Sequence, residues 1–177
     1  MSHIEEATPH ALQAASAMQA ITSTKARYCR GCDTKDWELF ASSFTEDATF
    51  DLGDFQFGRD PYSGERVVSG TVSPDVLEAF TAGVTWPIEG RAQIVEFSRA
   101  GMGPVVSAHH VFAPDVDLLN ASTAAVVWPM EDYTWYPSGY PVACMHGLGH
   151  YHETYEVTEG QWLIRTLRLS RIRVEWH

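Results

Sequence analysis

Residues 149–175, GHYHETYEVTEGQWLIRTLRLSRIRVE, read as two strands joined by a tight turn. Side chains alternate along a strand. Tyr151, Glu153 and Tyr155 therefore share one face, and His150 and His152 share the other. Thr158-Glu-Gly160 is a strong hairpin signal between the two halves. The same period of two extends back towards the N-terminus. Strands are expected at 105–118, 123–136, 149–158 and 161–175, with Asn120-Ala-Ser as a turn and a Pro/Gly/Tyr-rich loop at 137–148. Together they form a long antiparallel meander.

Ahead of the meander the period is helical. Ala11, Leu12, Ala15, Met18, Ile21, Ala26 and Tyr28 recur at three- and four-residue steps over 8–30, and Gly31 is expected to end that helix. Asp33 reads as the N-cap of a second helix, with Asp36 in its first turn and Trp37, Phe40, Ala41 and Phe44 as its apolar face. A short strand is expected over Ala48–Leu52. Within 53–88, residues 53–70 read as a turn-rich hairpin, and 73–87 as a helix capped at Ser73 or Asp75 and stopped before Pro87. Arg91–Ala100 is a further helix. Helices first and strands second is the α+β pattern: one domain over 1–177, its helices packed on one face of a strongly curved antiparallel sheet.

The 177 residues are 45% hydrophobic, enough to bury a core in one domain. Twelve Lys and Arg against 23 Asp and Glu give a net charge of −11, which repels phosphate backbones, so no nucleic-acid partner is expected. No apolar run approaches the ~20 residues of a membrane span. The acidic start, MSHIEEATPHALQAAS, lacks a secretory pattern, so the expected location is cytoplasmic. Three cysteines, Cys29, Cys32 and Cys144, argue against a disulfide framework. Cys29-Arg-Gly-Cys32 has redox or zinc spacing, but it closes a helical pattern and has no second copy. Cys29 and Cys32 read as ordinary thiols, with redox function as the alternative. Six Trp, seven Tyr and eight Phe supply walls for an apolar cavity, or simply core.

Several features occur in one order: Tyr28…Asp33, then Asp36-Trp37…Ala41…Phe44…Asp47-Ala48-x-Phe50, then Gly90-Arg91…Ile94…Phe97. Ala108-His109-His110-Val111, Gly149-x-Tyr151-x-Glu153 and Gly160-x-Trp162-x-Ile164 complete the series. Over about residues 20–175 the chain resembles the SnoaL-like branch of the nuclear transport factor 2-like superfamily. The segment 53–88 and the loop 137–148 exceed what the family core requires.

The resemblance implies a cone-shaped α+β barrel around one pocket. It also implies a homodimer or homotrimer, in which a partner copy covers the outer sheet face. The superfamily holds dehydratases, isomerases, a dehydrochlorinase, cyclases and non-catalytic proteins, so fold alone does not choose a function. In the dehydrochlorinase and dehydratase members, an Asp between the first two helices pairs with a His on the first long strand. Asp33 and His109 match those positions, and Tyr28, five residues before the Asp, matches a dehydratase tyrosine. By the family's spacing, the inward His lies seven residues before an apolar strand residue, here Val116, which selects His109 over His110. A β-bulge near Pro114 would reverse that choice.

A carboxylate bonded to one imidazole nitrogen orients the ring and stabilises the imidazolium formed when the other nitrogen takes a proton. Such a pair needs no metal or cofactor, and none is expected. An aromatic hydroxyl such as that of Tyr28 then polarises a carbonyl or helps a hydroxyl depart. Trp128 and Met130 share a strand face that the family directs into the cavity, as it does Tyr151; plain core is the other reading. Arg165 and Arg168 lie on opposite faces of the last strand. Arg165 is expected to bind an anionic or phenolic group, an outward salt bridge being the alternative.

The expected activity is that of a lyase or isomerase acting on a hydrophobic aromatic or polycyclic small molecule. A non-catalytic binder with the same pocket is the second reading. A metal-dependent enzyme using His146, His150 and His152 is the third.

Overall fold

A computed structural model describes residues 9–67, 69–70 and 72–177. The first helix, α1 (Pro9–Thr34), runs through Gly31 instead of ending there. Gly31 is required by packing: a Cβ on it would lie 2.5 Å from the backbone nitrogen of Phe40 in the next helix. The helix ends after Thr34, where Lys35 takes a left-handed φ of 62°. Asp33 is thus in the last turn of α1, not at an N-cap. The cap of α2 (Trp37–Ala41) is Asp36, which accepts the Leu39 N–H at 3.0 Å. Phe44, expected to be helical, instead opens strand β1 (Phe44–Asp51).

The long insertion holds a hairpin of β2 (Gly58–Arg59) and β3 (Arg66–Val67), then β4 (Ser69–Gly70). Helix α3 (Pro74–Glu78) continues as one 3-10 turn to Thr81, so it stops well short of Pro87. β5 (Ile88–Glu89) and α4 (Arg91–Met102) follow. The strand expected over 105–118 is two strands, β6 (Val106–Val111) and β7 (Asp115–Leu118). Pro114 lies in the break, and a proline has no N–H to give a ladder. β8 (Thr123–Trp135), β9 (Cys144–Thr158) and β10 (Gln161–Trp176) form the body of the sheet. The early start of β9 narrows the intervening loop to 136–143.

The sheet runs β5-β1-β10-β9-β8-β6, with β4 beside β10 and β7 beside β8. The architecture is α+β, as expected, with two differences in the sheet. β1 and β4 run parallel to β10, so the sheet is mixed. It is also open, with β5 and β6 at its ends, and does not close into a barrel.

The buried stripe of α1 differs from the expected one: Ile21 and Tyr28 are buried, but Ala11, Leu12, Ala15, Met18 and Ala26 face outward, and Ala17, Cys29 and Cys32 take the inner positions. This stripe packs with Phe40, Ile94 and the inner residues Val126, Trp128, Tyr151 and Leu167. Each such large apolar side chain contributes about 1.5–3 kcal/mol on burial. A second cluster around Phe57, Leu77, Val174 and Trp176 seats the insertion on the end of the sheet. Trp176 donates its indole N–H to the Gln56 carbonyl at 2.9 Å. No described helix is long and apolar enough to cross a membrane.

Candidate active site

Strand alternation on β6 places Ser107 and His109 on the inner face and leaves His110 exposed. The last turn of α1 brings Asp33 onto that inner face. Its carboxylate receives three donors: Oδ1 accepts from His109 Nδ1 at 2.6 Å and from the Ser107 hydroxyl at 2.8 Å, and Oδ2 accepts the His109 backbone N–H at 2.8 Å. Lys35, turned back by its left-handed φ, donates to Ser107 Oγ at 3.1 Å. An ionised carboxylate only accepts, so in the neutral ring the proton sits on Nδ1 and the lone pair on Nε2. Burial pushes the Asp33 pKa up, but the hydrogen bonds and charge of His109, together with Ser107, outweigh it and hold the group below the usual carboxylate range.

His109 borders an inner cavity of about 240 Å³ whose walls include Phe40, Phe50, Phe97 and Met102. Tyr28 and Tyr151 also line it, their rings meeting edge-on at 5.9 Å. Burial raises both phenols well above their ordinary pKa, with neighbouring negative charge adding to it, so both keep their protons. The Lys25 ammonium lies over these rings, 3.5 Å from the Tyr151 ring centre and 4.1 Å from that of Tyr28. Lys25 pairs with Glu153 at 2.5 Å, and both side chains are completely buried. Glu153 also accepts the Tyr155 hydroxyl at 2.6 Å.

Asp132 pairs across β6 and β8 with His109, so it stands beside it on the cavity wall. It is bound bidentately by Arg171 from β10, with both contacts at 2.7 Å. Burial weakens the Arg171 cation, but the Asp132 carboxylate more than restores it. The intervening β9 residue is Gly147, and a Cβ there would run into both the guanidinium and the carboxylate. No spacing motif marks this pair in the sequence. Its signal was an Asp in register with Val126, Trp128 and Met130, and an Arg in register with Leu167 and Leu169, each at a buried phase of its strand.

Tyr28, Asp33, His109 and Tyr151 are thus brought to one place. Trp128 and Met130 are on the same inner face but are packed in the core, outside the cavity wall. Arg165 falls at a bulge between Ile164 and Thr166 and pairs with Asp47 at 3.2 Å, outside the cavity wall. His146, His150 and His152 all lie on the outer face. His146 is engaged by Glu131, and His152 by Ser170. Among the described residues they do not converge with a third ligand. Among the described residues, three potential ligating atoms come within 4.8 Å of one another at Cys32, Asp33 and His109.

The profile of the SnoaL-like domain family matches residues 13–168. No curated protein matches the chain. A scytalone dehydratase-like protein of Novosphingobium aromaticivorans superposes with a TM-score of 0.69 at 17% identity, over 93% of this chain and 90% of the other. A type 2 hexachlorocyclohexane dehydrochlorinase, LinA, gives 0.70 at 12% identity, over 94% and 92%. The Kfla4162 protein of Kribbella flavida gives 0.69 at 16% identity, over 92% and 95%. At such identities the likeness is one of fold.

Proposed function

Because the chain belongs to the SnoaL-like domain family, we propose that it is a cofactor-independent lyase that performs elimination on a small aromatic or alicyclic molecule. The observation that carries this reading is the 2.6 Å contact between His109 Nδ1 and Asp33 at the wall of an apolar cavity. In the reaction, Nε2 of His109 takes a proton from a substrate carbon. The electron pair of that C–H bond becomes the new double bond, and the leaving group departs from the adjacent carbon with its own bonding pair. Asp33 stabilises the imidazolium that forms.

Tyr28 and Tyr151, held neutral by burial, serve as donors to a substrate carbonyl or to the departing group. The Asp132–Arg171 pair supplies a fixed polar end to an otherwise aromatic wall. The names of two structural relatives, a dehydratase-like protein and a dehydrochlorinase, are those of elimination chemistry and support the reading.

Cavity size limits the substrate. An apolar cavity of about 150 Å³ holds benzene. At about 240 Å³, this one suits a substituted single ring or a compact two-ring molecule. The test is incubation of wild type and His109→Ala with a panel of small cyclic alcohols, ketones and chlorides, read by mass spectrometry. The expected result is loss of water or hydrogen chloride with wild type, and binding without conversion by the variant. A ligand bound equally by both and changed by neither overturns the catalytic reading in favour of a binding protein.

A further inference from the structure

Cys32 immediately precedes Asp33 on α1, is buried and lines the cavity with His109, yet elimination has no use for it. Its Sγ, an Asp33 carboxylate oxygen and a His109 ring nitrogen all lie within 4.8 Å of one another. Thiolate, imidazole and carboxylate together form a donor set for zinc and not for magnesium or calcium, which take oxygen ligands. We propose that Cys32, Asp33 and His109 form an inhibitory site for a thiophilic divalent cation, with zinc as the type ion.

Zinc sits ~2.3 Å from sulfur and ~2.0–2.2 Å from nitrogen and oxygen. The Nδ1–Oδ1 separation of 2.6 Å must therefore open to roughly 3.3 Å, the spacing of two such ligands on one tetrahedral ion. Rotation of the Asp33 and His109 side chains supplies that movement. Ser107 and the His109 N–H remain to orient the carboxylate, as outer partners do in zinc sites. The fourth position is left for water from the cavity.

The proton balance explains the inhibition. Zinc takes Cys32 as thiolate, so the thiol proton leaves to solvent. The ion replaces the proton on Nδ1, and the neutral ring carries its proton on Nε2 instead. One proton is released for each ion bound, and nothing is oxidised. With its proton on Nε2, His109 presents a donor where elimination needs a base. The inhibitory half of the proposal rests on His109 being that base; the binding half does not.

The test uses untagged full-length protein, titrated with Zn²⁺ by calorimetry and with Co²⁺ by absorption. Wild type is expected to bind one ion per chain and to show a thiolate-to-cobalt charge-transfer band. Cys32→Ser should lose the band and bind zinc more than ~100-fold more weakly, beyond the 10–100-fold cost of losing an outer partner. His109→Gln should also weaken binding. His146→Ala, on the outer face, should do neither. Thermal melts confirm that each variant is folded. A wild type without the thiolate band, or a Cys32→Ser variant that binds zinc as wild type does, overturns the site. Once a substrate is found, zinc should inhibit wild type at concentrations that track its binding constant. Zinc bound through Cys32 without loss of turnover overturns the inhibitory role. Zinc binding as expected with no substrate in the panel counts against the catalytic reading and leaves the metal site standing.

Discussion

The sheet carries a histidine–carboxylate pair on each of its faces. On the inner face His109 meets Asp33 at 2.6 Å; on the outer face His146 meets Glu131 at 2.8 Å. As pairs they are nearly alike, and both carboxyl groups are held below their ordinary range. Their surroundings differ. Asp33 comes from a helix, is held by three donors, and orients a ring whose side chain is only 8% exposed at a cavity. Glu131 is two residues from Tyr133 on the same strand, whose hydroxyl is the main cause of its lowered pKa, with His146 second. His146 stacks on the Tyr133 ring with centres 4.2 Å apart, on the face away from the cavity. The difference teaches that a short His–carboxylate contact is common geometry. Of the two, the inner pair borders an apolar cavity and has its carboxylate held by three donors.

Several experiments would break or sharpen that contrast. The largest expected effect is that of Asp33→Asn, which should lower turnover by ~10²–10⁴, while Glu131→Gln leaves it unchanged. Equal loss in both variants would erase the distinction between the faces. Next are the buried ion pairs of the inner face. Asp132→Leu leaves the Arg171 cation buried and unpaired, and Lys25→Met does the same to the Glu153 carboxylate. Each should cost about 3–5 kcal/mol in urea denaturation. Lys25→Met combined with Glu153→Gln should recover part of the loss.

Gly147→Ala comes third, at about 1–3 kcal/mol, because its methyl group enters the space of the Asp132–Arg171 pair. Smaller again is a pH effect. The folded-state pKa of Asp33 is lowered, so its contribution to stability is complete above the unfolded carboxylate pKa of about 3.9 and is lost as pH falls through the lower folded value. Acid titration of the melting temperature should be shallower in Asp33→Asn than in wild type. The smallest is His146→Ala, for which no measurable change in melting temperature or turnover is expected.

Much of the fold was legible because alternation and turn chemistry are local. The hairpin at Thr158–Gly160 follows from turn chemistry and the two faces of β9 from period two; that the face of Tyr151, Glu153 and Tyr155 is the buried one was implied by the resemblance and not by the alternation. The helices-then-strands order gave α+β. Local rules failed where a distant backbone intervened. Gly31 reads as a helix stop, but its missing side chain serves the close approach of Phe40. Arg165 alternates towards the inside until a bulge turns it to Asp47. The Asp33–His109 contact was expected from the resemblance of motifs, since nothing local links two residues so far apart. Asp132 and Arg171 went unremarked for the same reason, although each sits at a buried phase of its own strand.

The sequence by itself determined which residues alternate along the strands and which carboxyl and imidazole groups are available, because these depend on neighbours a few positions away. Tertiary structure alone decided that β1 runs parallel to β10, that the sheet stays open, and which polar groups share the cavity. Those outcomes depend on strands and helices far apart in the chain meeting in one register, and only the packed core sets that register.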